Sequence, residues 1–273
     1  MSPPRLFSAD ASRTASPTTT TAFRRRQVLA ERFHDLYELV QRSAYVFGSP
    51  LGPFYHQSRH YHLPRFIYFG PHTSNESLRL AFLAGEAPQD VRGTQALLHF
   101  VERLALEPEL GQGLSLSFFP LLDALGLFAG VADRELALKS WSAGGPPELE
   151  LLEKDARLQS YHGYVRIETR SRDREVVVVQ LRGYDDESSS ASGVELISSE
   201  DFHPWPVVFE AAAASALQSG PLSVAQDLSI RPFELTISLP VAWSEEEAQV
   251  AVGSILTRFI LRHRGHQAYG QHL

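Results

Sequence analysis

Apolar positions Leu29, Phe33, Leu36 and Val40 recur three and four residues apart. That spacing lines one face of a helix and predicts an amphipathic helix over roughly 26–43. A stretch rich in proline and aromatic residues follows at 47–64. Arg65-Phe66-Ile67-Tyr68-Phe69, closed by Gly70-Pro71, reads as a buried strand, and Leu78 to Leu83, after the turn-forming Thr73-Ser74-Asn75, reads as a second. From Thr94 onward Leu97, Phe100, Val101 and Leu104 return to helical spacing, and Pro108 and Gly111 stop that helix. Leu114 to Pro120, Val165 to Thr169, Val176 to Leu181 and Phe233 to Leu239 are further strand-like runs. Ser244-Glu245-Glu246-Glu247 forms a capping box that opens a last helix, with Ala248, Val252, Ile255 and Phe259 as its apolar stripe. The basic end of that helix, Arg258, Arg262, His263 and Arg264, complements its dipole. Alternating strands and helices predict an α/β fold: a mixed, largely buried central sheet flanked by helices on both faces.

The pattern also divides the chain. Residues 1–25 are dominated by Ser, Thr and Pro, a composition that cannot repay the entropy of ordering, and are expected to form a disordered tail. Residues 26–273 are expected to form a single α/β domain. Asp185 to Gly193, with Ser188-Ser189-Ser190, reads as a surface loop.

Composition narrows the function classes. With 273 residues, 43% of them hydrophobic, the chain can bury one substantial core. Lys plus Arg number 25 against 32 Asp plus Glu, a formal charge of −7, which argues against a surface that tracks nucleic-acid phosphates. The absence of Cys removes disulfides, thiol nucleophiles and Cys-ligated zinc, so a metal would need His, Asp or Glu. No window reaches the roughly 18 apolar residues of a membrane span, and Arg24-Arg25-Arg26 runs into Glu31-Arg32 before a signal-like apolar region forms. A soluble, cytoplasmic protein is expected, with no nucleic-acid or membrane partner. A small molecule, a peptide or a protein is the partner class left open.

Candidate chemistry is sparse. His56, His60 and His62 place three imidazoles in one short segment, and His60 and His62 would share a face on a strand. No acidic residue lies among them to orient the rings, so a solvated aromatic loop is the competing interpretation. Gly111-Gln112-Gly113 lacks a third glycine and precedes a strand, which makes it a helix-to-strand turn and not a dinucleotide fingerprint. Asp185-Asp186-Glu187 has carboxylates for a hard cation, but beside serines it reads as a hydrated loop.

Several segments nevertheless resemble the zinc carboxypeptidase superfamily, nearest to its succinylglutamate desuccinylase and aspartoacylase-like branch, over roughly 64–263. Arg65 to Pro71, led in by Leu63-Pro64, resembles the family's first strand and its turn. Leu78-Arg79-Leu80-Ala81-Phe82-Leu83-Ala84-Gly85 resembles the second strand, and Gly93-Thr94-Gln95-Ala96 the helix after the zinc motif His-x-x-Glu. Aligned without a gap, Ala87 stands where the first zinc-ligand His belongs and Asp90 where the Glu belongs. Phe119-Pro120-Leu121-Leu122-Asp123-Ala124-Leu125-Gly126-Leu127 is similar to the family's Tyr-Pro-x-x-Asn-Pro-x-Gly-Phe turn. Glu135 to Trp141 is similar to its Asp-Leu-Asn-Arg-x-x-Trp segment, with Ala137 and Leu138 replacing the Asn-Arg pair. Tyr161 to Glu168 resembles the strand ending in the third ligand, with Glu168 in place of His. Pro232 to Pro240 resembles the strand bearing the general-base Glu, and Ser238 occupies that position.

The resemblance implies a phosphorylase/hydrolase-like scaffold whose chemistry is altered. Zinc hydrolysis needs fixed ligands, an open position for a water whose pKa the metal lowers toward about 7, and a carboxylate to take its proton. Ala87, Asp90, Glu168 and Ser238 together lack the imidazoles and the proton acceptor, so no catalytic group, metal or cofactor is expected. The leading expectation is a carboxypeptidase-like pseudoenzyme with a binding role. One alternative is a divergent metal-dependent amidohydrolase or carboxypeptidase that acts on a peptide or acyl amino acid, holding zinc through Asp90, Glu168 and the 56–62 histidines. Another is an interaction protein using the aromatic 47–62 stretch, with Trp205 between Pro204 and Pro206 as an anchor.

Overall fold

A computed structural model describes residues 17–74, 77–87, 91–129, 136, 145–170, 175–183, 206–211 and 233–270. The elements, in chain order, are α1 (Pro17–Val40), β1 (Val46–Gly48), β2 (Leu51–His56), β3 (Arg59–Leu63), β4 (Phe66–Phe69), β5 (Leu78–Leu83), α2 (Val91–Leu106), β6 (Leu114–Phe119), α3 (Pro147–Gln159), β7 (Gly163–Arg170), β8 (Val177–Gly183), β9 (Val207–Ala211), β10 (Phe233–Pro240) and α4 (Glu245–Gly270). Eight strands form one sheet in the order β1-β4-β6-β5-β7-β10-β8-β9, and β2 and β3 form a separate hairpin. Neighbours among β6, β5, β7 and β10 run parallel, while β4 lies antiparallel to β6 and β8 antiparallel to β10. The sheet is therefore mixed, as the alternating pattern predicts, and the structure shows that its centre is parallel.

Alternation along the strands separates two cores. Leu80, Phe82, Phe118, Val165, Ile167, Leu235 and Ile237 face α1, α2 and α4, where Leu29, Phe33, Leu97, Phe100, Val252 and Ile255 meet them. Phe82 stacks on Phe118 at 4.8 Å between ring centroids and packs against Phe100 at 6.4 Å. Each such fully buried side chain contributes about 1.5–3 kcal/mol. On the other face Ala81, Leu83, Phe119 and Tyr164 pack against Leu149, Leu152 and Ala156 of α3. The central sheet is buried between helical layers.

The predicted stripes of α1, α2 and α4 are the buried ones. At the start of α4 the Ser244 backbone N–H donates to Glu247 Oε2 at 2.8 Å, and the Glu247 N–H donates back to Ser244 Oγ at 3.2 Å, closing the capping box. Gly111-Gln112-Gly113 is a turn between the 3-10 segment after α2 and β6. No helix among the described residues is long and apolar enough to cross a membrane.

Three features depart from the expectations. Helix α1 begins at Pro17, ahead of the predicted start, because Pro is well suited to a first helical position even before a threonine run of weak propensity. The 47–64 stretch is β structure, in which Gln57 and Ser58, with φ of 47° and 62°, make the tight turn of the β2–β3 hairpin. Helix α3 was hidden from the periodicity because Glu148, Glu153 and Asp155 occupy buried positions that the pattern assigns to apolar residues. Residues 1–16, the Asp185–Gly193 segment and Trp205 lie outside the described residues.

Candidate functional site

The site forms just beyond the end of β5 and along the neighbouring strands β7 and β10. After β5, Gly85 turns the chain with φ of +69°, and a Cβ there would stand 2.7 Å from Thr94 Oγ1 and 3.0 Å from the Leu121 Cα, so glycine is required. The loop after β6 closes on this turn, with the Leu122 N–H donating to the Ala84 carbonyl at 3.0 Å and the Asp123 N–H to the Gly85 carbonyl at 2.8 Å. Asp123 Oδ1 in turn accepts from the Gly126 N–H at 2.8 Å. The chain from Phe119 to Leu127 thus forms a tightly bonded turn. Beyond Gly85 comes Glu86, whose carbonyl accepts from the Leu136 N–H at 3.0 Å.

Strands β7 and β10 run parallel with Thr236 opposite Arg166 and Ser238 opposite Glu168. Residues two apart on a strand share a face, so Arg166 and Glu168 project together with Glu234, Thr236 and Ser238, on the face that carries Tyr164. Arg166 lies at the centre of this group. Its Nε and Nη2 both donate to Glu86 Oε1, at 2.9 and 2.6 Å. Its Nη1 lies 3.5 Å from Glu234 Oε1 and its Nη2 lies 3.9 Å from Glu168 Oε2. Glu168 Oε1 also accepts from Arg170 Nε at 2.6 Å and from Ser238 Oγ at 2.8 Å.

Arg166 is 2% exposed and Glu234 is 0% exposed, so neither charge is left to water. Burial opposes the charge on Arg166, but the carboxylates of Glu86, Glu234 and Glu168 more than offset it and raise its pKa above the ordinary arginine value. The guanidinium is permanently charged.

Of the site positions taken from the sequence, the structure brings Glu168 and Ser238 together and sets half-buried Ala87 directly after Glu86. Asp90 lies outside the described residues, as do Ala137 and Leu138. His60 and His62 share one face of β3, as expected, while His56 is paired with Arg59 and so lies on the other face of the hairpin. Among the described residues no group of three or more His, Asp or Glu side chains is arranged to hold a metal ion. Sequence reasoning missed the roles of Arg166, Glu86, Glu234 and Arg170. The available signal was Arg166 itself, a charge inside the apolar run Tyr164-Val165-Arg166-Ile167, which a buried strand tolerates only with carboxylate partners.

With this sheet order and helical layering, the chain has the mixed α/β fold of the metallocarboxypeptidases. A metallo-carboxypeptidase from Burkholderia cenocepacia superimposes with a TM-score of 0.65 at 14% identity, covering 86% of this chain and 69% of that one. A metallo-carboxypeptidase from Pseudomonas aeruginosa, in complex with (2-guanidinoethylmercapto)succinic acid, gives 0.60 at 16% identity over 85% and 68% of the two chains. Carboxypeptidase A from Helicoverpa armigera gives 0.58 at 12% identity over 87% and 72%. No family model and no curated protein sequence matches the chain.

The described residues do not fit the zinc ion of such a fold. Zinc sites favour imidazole and carboxylate donors gathered around an open coordination position. Here Glu168 is engaged by a hydroxyl and two guanidiniums, and the Arg166 cation stands among the carboxylates a metal would need. A divalent ion would have to displace a buried positive charge.

Proposed function

We propose that this chain is a non-catalytic representative of the metallocarboxypeptidase fold: the scaffold is kept, the metal-dependent hydrolysis is lost, and the protein works by binding. The observation that carries this reading is the Arg166 guanidinium bonded twice to Glu86 Oε1, with Glu168 and Glu234 around it. Ser238, at the general-base position, donates its proton to Glu168 and has no basic form near neutral pH. The degenerate positions Ala87, Glu168 and Ser238 and the resemblance to the desuccinylase and aspartoacylase-like branch support the same reading.

A binding role is favoured by aromatic side chains on the surface. Tyr55 is 67% exposed on the β2–β3 hairpin, with its ring 4.6 Å from that of His60. Phe47 and Phe69 pair at 6.2 Å on β1 and β4, each 45% exposed. Aromatic residues of this kind are enriched at interfaces because they bury much area at low entropic cost.

Elemental analysis of protein purified without added metal, alongside assays on C-terminal peptide bonds and acyl amino acids, tests the proposal. Zinc well below one ion per chain with no hydrolysis is the expected result. Near-stoichiometric zinc together with hydrolysis would overturn it in favour of the amidohydrolase alternative.

A further inference from the structure

We infer that His60 and His62 on β3 form a two-imidazole chelate for a divalent transition-metal ion, with copper(II) held more tightly than zinc, on the open surface of the β2–β3 hairpin. The inference goes beyond the non-catalytic reading above and does not depend on it, because β2 and β3 form a sheet of their own, apart from the strands that carry Arg166. Strand geometry supplies the first reason. Residues two apart on a strand point to one side with their backbones about 6.6 Å apart. Imidazole is long enough for two such rings to lean together on one ion about 2.0–2.1 Å from each nitrogen. His60 and His62 have that spacing within the extended run Arg59–Leu63. The two rings are near enough for the charge of His60 to lower the pKa of His62.

The second reason is that both rings have nitrogens to offer. His60 is exposed and His62 half-buried, and among the described residues neither ring enters a hydrogen bond or an ion pair. Tyr55, opposite His60 in the hairpin register, packs edge-on against its ring at 4.6 Å, which limits the rotamers of His60 before any ion arrives. A Cβ at Gly52 would lie 3.6 Å from His62 Cδ2, the carbon bonded to Nε2, so a larger side chain there would crowd the ligating nitrogen and glycine leaves it open. Alternation sends Arg59 to the opposite side of the hairpin together with His56, so no guanidinium stands between the two imidazoles. Neutral imidazole without a carboxylate selects for copper and zinc over magnesium and calcium, and the ordinary order of divalent affinities puts copper(II) above zinc.

The test titrates the full chain, stripped of metal, with copper(II), zinc and magnesium chlorides near neutral pH, following the heat of binding by calorimetry and the histidine ring signals by NMR. Copper(II) is expected to bind tightest, zinc more weakly and magnesium not at all. His60→Asn and His62→Asn should each weaken copper(II) binding by roughly tenfold or more, because a lone imidazole loses the advantage of two linked donors, whereas His56→Asn should leave it unchanged. Paramagnetic copper(II), added to the wild type well below one equivalent, should broaden the ring signals of His60 and His62 ahead of that of His56, a readout that stands even where a variant folds poorly. Equal copper(II) affinity in the wild type and both variants, broadening that spares either ring, or an equal response to magnesium would each overturn the inference. Zinc that co-purifies with the wild type and is lost from His60→Asn belongs to the hairpin and supports the inference. Zinc kept by His60→Asn together with hydrolysis counts against the non-catalytic reading alone.

Discussion

Ser238 Oγ donates a hydrogen bond to Glu168 Oε1 at 2.8 Å, across the parallel pairing that sets the two residues opposite each other on β10 and β7. Two side chains distant in sequence are thus bonded to one another. Ser238→Glu would place a carboxylate beside Glu168, and at a site 3% exposed it adds bulk and like charge. The expected outcome is a loss of about 1–3 kcal/mol of stability with no gain of peptide hydrolysis. Urea unfolding and a C-terminal peptidase assay check it, and appearance of turnover would contradict it.

Gly85→Ala is expected to destabilise the fold by about 1–3 kcal/mol. The added Cβ would have to sit at φ +69° and 2.7 Å from Thr94 Oγ1, against a backbone closed by Asp123 and Leu122. Because Glu86 is the next residue, the Arg166 cluster should loosen as well. Denaturant unfolding gives the first effect, and amide exchange at 166–168 the second.

A second buried ion pair, Arg65 with Asp155, joins the residue just before β4 to α3, and the Tyr161 hydroxyl donates to the same carboxylate at 2.6 Å. Burial first, then the charge of Asp155, pushes the Tyr161 hydroxyl well above the ordinary tyrosine value, so it remains a donor. Asp155→Ala strands the guanidinium and should cost about 3–5 kcal/mol. The double substitution Arg65→Met with Asp155→Leu should cost less, because no charge is left unpaired. A double-mutant cycle by urea unfolding measures the difference.

His62 should give the hairpin a pH dependence. Partial burial, and secondarily the charge of His60, lower its pKa from the ordinary 6.5. The unfolded chain then binds a proton more readily than the folded one, so stability falls as pH drops from 6.5 toward the lowered value. His60→Asn removes the lesser cause and should move the His62 titration part of the way back upward. NMR titration of the His62 ring follows this, and an unmoved or lowered midpoint would contradict it.

Much of the scaffold was legible because it follows from local periodicity. The stripes Leu29-Phe33-Leu36-Val40 and Ala248-Val252-Ile255-Phe259 are buried as their spacing dictates, and the strands at Leu78, Leu114, Val165, Val176 and Phe233 have their places in the sheet. Helix α3 and β9 were not legible: the first buries acidic residues among its apolar ones, and the second is a short run at a sheet edge.

Within the candidate site, the chain by itself determined which side chains are on hand: Ala87 offers no metal donor, Ser238 no carboxylate, and the chain has no Cys. Residue identity and spacing suffice for that. Tertiary structure decided what stands there instead. Glu86, Arg166 and Glu234 are far apart along the chain, and only the parallel pairing of β5, β7 and β10 brings their charges within hydrogen-bonding or ion-pairing distance. Charge pairing in a buried wall depends on distance through space, which no local pattern encodes.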